Sequence, residues 1–206
     1  MEVAVELVLF TVRDDRLQVL LTPRPDRPAL PGGLVGPQEA VEEAARRVLR
    51  EQTGFGDAYI EQLYTFGDPG RDPARRTISV AYFALLRSDS AGLPSGATWR
   101  FVKSLPSLPF DHDAIIRTAL GRLRAKLSYS TVGFQLLPAA FTLTELQRLY
   151  EVILARRIDK RNFRKKLLTM GLLKPVPGRR ASGPHRPAQL YAFRTRRLRF
   201  LDGQLV

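Results

Sequence analysis

The sequence predicts an α+β protein: an N-terminal α/β/α sandwich with a mixed sheet, followed by a small domain of two helices and a hairpin. Strand-like and helical segments alternate in the first two-thirds of the chain without a regular strand–helix–strand rhythm, which favours a mixed sheet. Two helices with start signals follow near the C-terminus. The charge divides in the same way: residues 141–206 carry 16 Lys and Arg against 4 Asp and Glu, and residues 1–140 carry 17 against 16. We therefore assign residues 1–128 to one domain and residues 129–206 to a second.

Composition limits the class of protein. Hydrophobic residues make up 44 % of the chain and charged residues 26 %, as in globular proteins. Because there is no cysteine, disulfides, cysteine-based metal sites and thiol catalysis are excluded. The N-terminal residues lack the basic start of a secretory signal, and no segment reaches the roughly 18 apolar residues of a membrane span. We expect a soluble cytoplasmic protein with no membrane partner.

The first domain begins with a predicted β-hairpin. Residues 2–11 and 17–22 are rich in β-branched and apolar residues and flank a short polar turn. A proline-rich loop that ends in two glycines follows the hairpin. Two further strands are predicted at 58–66 and 77–86, separated by a polar loop that contains glycine and proline.

Two amphipathic helices complete this domain. Residues 39–52 place apolar side chains at helical spacing on one face, and Gly54 ends the helix. The inward-facing residues are Val41, Ala44, Ala45, Val48 and Leu49. The second helix begins at Asp111, which is predicted to be its N-cap residue, and runs to about Leu127. Its inward-facing residues are Ile115, Ile116, Leu120, Leu123 and Leu127.

The first helix and the loop before it resemble a Nudix box. The stretch Gly33-x5-Glu39-x7-Arg47-Val48-Leu49-Arg50-Glu51-Gln52-Thr53-Gly54-Phe55 is similar to the family pattern G-x5-E-x7-R-E-U-x-E-E-x-G-U, in which U is a bulky aliphatic residue. The matching positions are Gly33, Glu39, Arg47, Leu49, Glu51 and Gly54, and Phe55 occupies the final apolar position. The resemblance implies the Nudix fold with a nucleoside-diphosphate pocket beside the box helix.

Two departures from the pattern concern the metal-binding carboxylates. In Nudix hydrolases the glutamates of the box hold divalent cations, and hard cations need several oxygen ligands. This chain has Val48 and Gln52 at two of the three glutamate positions and keeps Glu51 alone. We therefore expect no catalytic residues, no metal centre and no enzymatic activity. A residual Mg²⁺ on Glu51, with residual pyrophosphohydrolase activity, is left open.

The similarity to ADP-ribose-handling Nudix proteins implies an effector-binding pocket. Without metals, arginines would have to neutralise the phosphates, and Arg24 and Arg71 lie in loops expected to face the pocket. Tyr82 is a candidate for stacking on a base, with a place in the core as the alternative, and His112 for bonding ribose or phosphate. The full set of effector-binding candidates is Arg24, Gly33, Arg47, Glu51, Arg71, Tyr82 and His112.

The last third of the chain predicts a helix-turn-helix. Thr142 and Glu145 form a capping box at the start of one helix, and Asp159 is a suitable N-cap for a second helix at about 160–169. Leu146, Leu149, Tyr150 and Ile153 mark the inner face of the first helix. The second helix turns Phe163 and Leu167 inward and basic residues outward, which is typical of a DNA recognition helix.

A basic wing is predicted after these helices. Residues 172–174 and 189–193 read as short strands, and the loop between them is rich in arginine. Basic residues on a helix and on a neighbouring hairpin can contact phosphates on both sides of a groove, and arginine can also read guanine edges. The DNA-binding candidates are Lys160, Arg161, Asn162, Arg164, Lys165, Arg179, Arg180 and Arg186.

A degenerate Nudix domain followed by a winged helix resembles the Nudix-related transcriptional regulators of the NrtR family. Segments 136–138, 141–147, 159–164 and 186–191 are similar to the C-terminal pattern of that family. The resemblance implies a homodimer that binds a palindromic operator in double-stranded DNA. It also implies repression of NAD biosynthesis or salvage genes, with ADP-ribose or a related NAD metabolite as effector and no required cofactor.

Two alternatives stay open from the sequence. The chain could be an active Nudix hydrolase of ADP-ribose whose basic domain is accessory, or a related regulator that senses a sugar. The first is disfavoured by Val48 and Gln52, and the second is distinguished only by testing effectors.

Overall fold

A computed structural model describes residues 1–56, 58–90, 92–93, 95–181 and 188–206, with the backbone alone at 178–181. The chain forms two compact units. Unit 1 comprises residues 1–11, 17–86 and 90–122, and unit 2 comprises 12–16, 87–89 and 123–206. Across the described residues, no helix has the length and apolar character needed to cross a membrane. The domain boundary after residue 128 stays a prediction.

Six strands form the mixed sheet that the sequence predicts. They are β1 (Glu2–Arg13), β2 (Arg16–Leu21), β3 (Gly32–Leu34), β4 (Tyr59–Phe66), β5 (Thr77–Leu85) and β6 (Thr98–Phe101). The order is β4–β5–β1–β2–β6, with β3 paired to β1 outside this path. β1 runs parallel to β5, while β4 is antiparallel to β5 and β6 to β2. The strands β3 and β6 were not predicted, because three and four residues are too few for an alternating pattern to be recognised.

Helix α1 (Val41–Thr53) packs on one face of this sheet as predicted. Its apolar stripe is buried against alternate residues of β1 and β5 in one core cluster. Gly54 ends the helix in the left-handed conformation, with φ 73°, and its N–H donates to Arg50 O at 3.0 Å. Most residues pay a steric penalty in that conformation, whereas glycine does not, so the predicted helix end is confirmed.

Helix α2 (His112–Tyr129) begins one residue after Asp111. Four of its predicted inward residues are buried, and Leu120 is half-buried. Asp111 occupies the predicted N-cap position, since its backbone carbonyl accepts from Ile115 N at 3.0 Å. Both of its carboxylate oxygens accept hydrogen bonds from Arg71, at 3.0 and 2.7 Å. A charged partner offers this carboxylate a stronger bond than a backbone N–H does.

An ion cluster inside unit 1 fixes the loop before β5 to the sheet and to the start of α2. The Arg71 residue is 7 % exposed, and its guanidinium donates to both carboxylate oxygens of Glu6 at 3.0 Å as well as to Asp111. The hydroxyl of Ser79 also donates to Glu6. His112 is held between two partners: Nδ1 accepts from Leu30 N at 3.1 Å, and Nε2 lies 3.4 Å from Glu6 Oε1.

The Glu6 carboxylate stays charged in this cluster. Burial alone would raise its pKa, but hydrogen bonds from His112 and Ser79 and the charge of Arg71 hold the pKa of Glu6 below its ordinary value. Both carboxylates therefore depend on the same guanidinium, and its removal would leave the Glu6 carboxylate buried without a cationic partner.

Unit 2 holds the predicted pair of helices and the hairpin. A short 3-10 helix (Val132–Leu136) precedes α3 (Leu143–Leu154) and α4 (Lys160–Thr169), and β7 (Leu173–Ala181) pairs with β8 (Ala188–Phe193). The capping box is confirmed, since Thr142 Oγ1 accepts from Glu145 N at 3.1 Å and Glu145 Oε2 accepts from Thr142 N at 2.6 Å. Phe163 and Leu167 of α4 are buried, and Phe163 packs on Tyr150 with ring centroids 5.2 Å apart.

Replacing Arg71 tests the energetic role of the ion cluster. We expect Arg71→Met to destabilise the protein by about 3–5 kcal/mol, because it leaves the buried carboxylate of Glu6 without its guanidinium. The matched control is Arg75→Met, which removes an exposed guanidinium 3.1 Å from Glu2 and should cost less than about 1 kcal/mol. The free energies of unfolding are measured by urea titration.

A second variant separates charge from packing. Glu6→Gln combined with Arg71→Met should recover part of the loss, since no unpaired carboxylate then stays buried. Because the pKa of Glu6 is lowered by folding, its stabilisation should be present at neutral pH and fall as the pH drops below about 4.3. An equal effect of the Arg71 and Arg75 substitutions would contradict this role of the cluster.

Candidate functional site

A cleft of about 850 Å³ opens in unit 1 between the box helix and the loops before β5 and α2. It brings together five of the seven predicted effector-binding residues. These are Arg24, Gly33, Glu51, Arg71 and His112. Their sequence positions are far apart, so the cleft is a property of the fold and not of the box alone.

One wall of the cleft is fixed by Gln52. Its side-chain Oε1 accepts from Gly32 N at 3.1 Å, and its Nε2 donates to Gly32 O at 2.7 Å. A Cβ at Gly32 would lie 2.8 Å from Val5 O, so the close approach of β3 to β1 requires glycine here. A carboxylate could accept from the N–H but could not donate to the carbonyl. The box pattern marks Gln52 only as a lost metal ligand, because its partner Gly32 is 20 residues away in the chain.

The residues of the box do not fit the metal cluster that the resemblance to Nudix hydrolases implies. Val48 is fully buried in the core, and both polar atoms of the Gln52 amide are used by Gly32. The Glu51 side chain is 60 % exposed, and its carboxylate lies 3.5 Å from Arg47 Nη1. Within the described ranges, no group of three or more His, Cys, Asp or Glu side chains could hold a metal ion.

Arg47 braces the loop that leads into α1. Its guanidinium donates to both carboxylate oxygens of Glu39, at 2.7 and 2.8 Å, and to Leu34 O at 3.0 Å. Hydrogen bonds from Arg47 and from Gly36 N lower the pKa of Glu39 to about 2. Arg47 faces a shallow outer groove that includes Leu34 and Glu39, and it does not line the cleft.

The structure places Tyr82 in the core, which was the alternative considered from the sequence. The residue is 4 % exposed and belongs to the cluster under α1. Burial raises the pKa of its hydroxyl. On β5 it follows the same alternation as Val80 and Ala84, which directs all three toward α1. It therefore does not reach the cleft for stacking.

The two predicted arginines of the cleft have different environments. Arg71 is committed to Glu6 and Asp111, whereas Arg24 is exposed and its guanidinium lies over the Phe110 ring, 5.2 Å from the centroid. Phe110 lines the cleft and is 41 % exposed. The sequence predicts a role in the pocket for His112 and none for this aromatic residue. An apolar side chain in a loop gives no periodic signal that would mark it as exposed.

In unit 2, α4 presents a row of exposed cations. Lys160, Arg161 and Lys165 are exposed, as is Asn162, while Arg164 is half-buried. The Arg164 Nη2 donates to Thr144 Oγ1 at 2.9 Å, which ties α4 to the start of α3. Four of the five predicted DNA-binding residues of this helix therefore face solvent, and Arg164 also has a packing role.

The turn between α3 and α4 is held by side chains that the sequence analysis did not single out. Glu151 Oε1 accepts from Ile158 N at 2.9 Å, and Gln147 Nε2 donates to Ile158 O at 3.3 Å. The predicted N-cap is confirmed, since Asp159 Oδ1 accepts from Asn162 N at 2.7 Å. These bonds fix the direction in which α4 leaves the turn.

The hairpin differs in extent from the predicted wing. β7 continues to Ala181, so the backbone of Arg179 and Arg180 lies in a strand and not in a loop, and Arg180 pairs with Gln189. The prolines and arginines of this segment break the apolar alternation by which a strand is recognised in a sequence. Arg186 lies outside the described residues. Phe141 forms an isolated antiparallel bridge to β8, because it exchanges backbone hydrogen bonds with Tyr191 at 3.0 and 2.7 Å.

Comparisons with family models cover both parts of the chain. Residues 3–112 match the NUDIX domain, and residues 133–193 match the NrtR DNA-binding winged helix domain. The chain is 34 % identical over 202 residues to the ADPR responsive transcriptional repressor NtrR of Acinetobacter baylyi, with 92 % of this chain and 80 % of the relative covered. A shorter match of 34 % identity over 110 residues, covering 48 % of this chain and 64 % of the relative, is to an ADP-ribose pyrophosphatase of Methanocaldococcus jannaschii.

Solved structures of Shewanella oneidensis NrtR are also similar. The protein complexed with a 27mer DNA aligns with a TM-score of 0.83 at 32 % identity, covering 99 % of both chains. Its NUDIX domain complexed with ADP ribose aligns with a TM-score of 0.52 at 35 % identity, covering 60 % of this chain and 88 % of the other. By sequence, by fold and by the order of its two domains, the chain belongs to the NrtR family of Nudix and winged-helix proteins.

Proposed function

We propose that the protein is a transcriptional repressor that binds double-stranded DNA and releases it when ADP-ribose or a related NAD metabolite enters the cleft. The observation that carries this proposal is the alignment over 99 % of the chain with Shewanella NrtR in complex with DNA. Support for the effector comes from the ADP-ribose complex of that protein's Nudix domain and from the Acinetobacter repressor, which is ADPR responsive.

Some cleft residues are available to contact the effector, and others shape the wall of the cleft. Arg24 is exposed, so its guanidinium is available to the ligand, while Glu51 can accept hydrogen bonds from ribose hydroxyls. Gly33 allows the backbone to approach the ligand closely. Arg71 and His112 shape the wall through their contacts in the ion cluster.

Two of the candidate residues act at a distance from the ligand in this proposal. Arg47 holds the loop before α1 through Glu39, and Tyr82 packs beneath the same helix. Both are therefore assigned to support of the cleft and not to contact with the effector.

For DNA, the proposal places α4 in the major groove. Lys160, Arg161, Asn162 and Lys165 are the exposed side chains that would contact phosphates and base edges. Arg164, which is half-buried, would add its positive charge to the same surface. Arg179 and Arg180 lie in β7, and we propose that they and Arg186 contact the flanking phosphates.

We propose that the protein acts as a homodimer on the genes of NAD biosynthesis or salvage. A homodimer would place two α4 helices about one helical turn of DNA apart on a palindromic operator. The domains are those at 1–128 and 129–206, and the target genes are those of NAD biosynthesis or salvage. Operator binding requires access to the chromosome, so we place the action of the protein in the cytoplasm.

The proposal includes no enzymatic activity and no required metal. A two- or three-metal cluster needs several carboxylates on one side of the site, and the box offers Glu51 alone at its three metal-binding positions. Val48 and Gln52 serve packing and backbone hydrogen bonding instead.

Operator binding is the first prediction of this function. A duplex from upstream of the gene for this protein should bind tightly, and ADP-ribose should weaken binding about 5- to 150-fold, the range of a 1–3 kcal/mol coupling. Affinity should also fall steeply with salt, because each neutralised phosphate releases counterions. Fluorescence anisotropy measures both effects. If ADP-ribose does not change operator binding, it is not the effector, and a sugar becomes the next ligand to test. If the affinity does not change with salt, the DNA interface is not electrostatic.

Arg161 provides the test of α4. Arg161→Ala should weaken operator binding by about 1–3 kcal/mol and leave the melting temperature unchanged, because the side chain is exposed. Arg46→Ala is the matched control, since Arg46 lies on the exposed face of α1, bonded to Glu42. Anisotropy and thermal unfolding are measured on each variant. Equal operator affinity for the two variants would contradict the assignment of α4.

Hydrolysis of ADP-ribose tests the second candidate function, which the similarity to an ADP-ribose pyrophosphatase favours. With Mg²⁺ or Mn²⁺, we expect the wild-type protein to form AMP and ribose 5-phosphate no faster than the Glu51→Gln variant, because one carboxylate does not assemble the cluster. Chromatography of the nucleotides measures the rate. Wild-type turnover that Glu51→Gln abolishes would establish the hydrolase.

A further inference from the structure

We propose that Phe110 and Arg24 form a clamp that holds the base of a nucleotide in the cleft, with the base stacked on the Phe110 ring and covered by the Arg24 guanidinium. The inference rests on the proposed effector function. It identifies the part of the cleft that distinguishes a nucleotide from a phosphorylated sugar without a base.

The backbone holds Phe110 in a conformation that displays its ring. The residue has φ 54°, in the left-handed region, which is costly for a bulky side chain. The residues after it are fixed, since Asp111 is bound by Arg71 and His112 by Leu30 and Glu6. The His112 ring supports the Phe110 ring from one side, with centroids 5.6 Å apart at 53°. A strained and exposed aromatic residue next to anchored neighbours is therefore pre-organised.

Phe110 is also suitable by position. It is the single Phe, Tyr or Trp among the described residues that line the cleft. The residues that line the same cleft include Pro23 and Leu30, which are apolar, and Gly32 and Gly33. A flat apolar surface beside polar groups matches a ligand with a base at one end and a diphosphate at the other.

Arg24 forms the second side of the clamp. Its guanidinium is 5.2 Å from the Phe110 centroid, and among the residues that the structure describes it has no carboxylate partner. A base between the two groups needs about 7 Å, or about 3.5 Å for each contact. The exposed Arg24 side chain can supply the difference of about 2 Å by a rotamer change. The base of its loop is fixed, because Thr22 and Ala29 exchange backbone hydrogen bonds at 2.9 and 3.0 Å.

Stacking determines the class of ligand. Every base has a π-face, so a ring and a guanidinium select for a planar base without reading its edges. The clamp should therefore accept nucleoside diphosphate sugars with different purines, and it should discriminate against sugar phosphates that have no base.

Binding of ADP-ribose to ring-deleting and ring-keeping variants tests the clamp. Phe110→Leu should lower the affinity about 5- to 150-fold, the range for removal of one base–aromatic stack, and Phe110→Tyr should stay close to wild type. Tyr64→Leu is the matched control, because Tyr64 is 61 % exposed on β4 and lies outside the cleft. Isothermal titration calorimetry gives the affinities, and thermal unfolding checks that all three variants are folded.

A spectroscopic variant reports stacking directly. In Phe110→Trp, ADP-ribose should quench the added indole fluorescence, and ribose 5-phosphate should not. The wild-type protein, which has Trp99 as its only tryptophan, provides the background signal. Combined with Phe110→Trp, Arg24→Met should weaken ADP-ribose binding without abolishing the quenching, because the indole still stacks on the base.

The outcomes separate this inference from the function on which it rests. If the wild-type protein does not bind ADP-ribose, the proposed function fails and the clamp fails with it. If wild type binds and Phe110→Leu binds equally well, or Phe110→Tyr loses as much affinity as Phe110→Leu, the clamp is wrong and the effector function stands. Selective loss in Phe110→Leu together with quenching in Phe110→Trp establishes the clamp.

Discussion

The buried guanidinium of Arg71 is the constraint on which the cleft depends. Its bonds to Glu6 and Asp111 connect the first strand of the sheet, the loop before β5 and the residue that precedes α2. Because an unpaired charge at this depth is strongly unfavourable, these three segments are held in one arrangement. The positions of Phe110 and His112 follow from it, since both are covalent neighbours of Asp111. An electrostatic contact within the fold thus determines which side chains the cleft presents.

Local signals in the sequence predicted most of the helices. They predicted few of the contacts within the candidate site. The apolar stripe of α1, the capping box at Thr142 and the N-cap at Asp159 depend on residues within one or two turns, and the structure has all three. The partners of Arg71 are 65 and 40 residues away in the chain, so sequence spacing could not show that this arginine is internally paired. The sequence therefore predicts a ligand contact for this arginine. It also contains no periodic pattern that marks the ring of Phe110 as exposed.

The two candidate sites use charge in different ways. In the cleft, Arg71 and Arg75 each have carboxylate partners at 2.7–3.1 Å, so most of the charge there is balanced over short distances. On α4, Lys160, Arg161 and Lys165 are exposed, and unit 2 contains all of the excess positive charge of the chain. Short-range pairs give a defined shape that suits recognition of one small molecule. Unbalanced surface charge acts over about a Debye length and suits a polyanion.

The amide of Gln52 has a consequence for what the cleft can report. Its two bonds to Gly32 hold the wall with a group that neither titrates near neutral pH nor attracts divalent cations as a carboxylate does. The two hydrogen bonds that hold Gly32 in that wall therefore do not depend on the magnesium concentration or on the pH near neutrality. A protein that binds a metabolite against such a wall keeps this part of its binding site unchanged when the ionic conditions change.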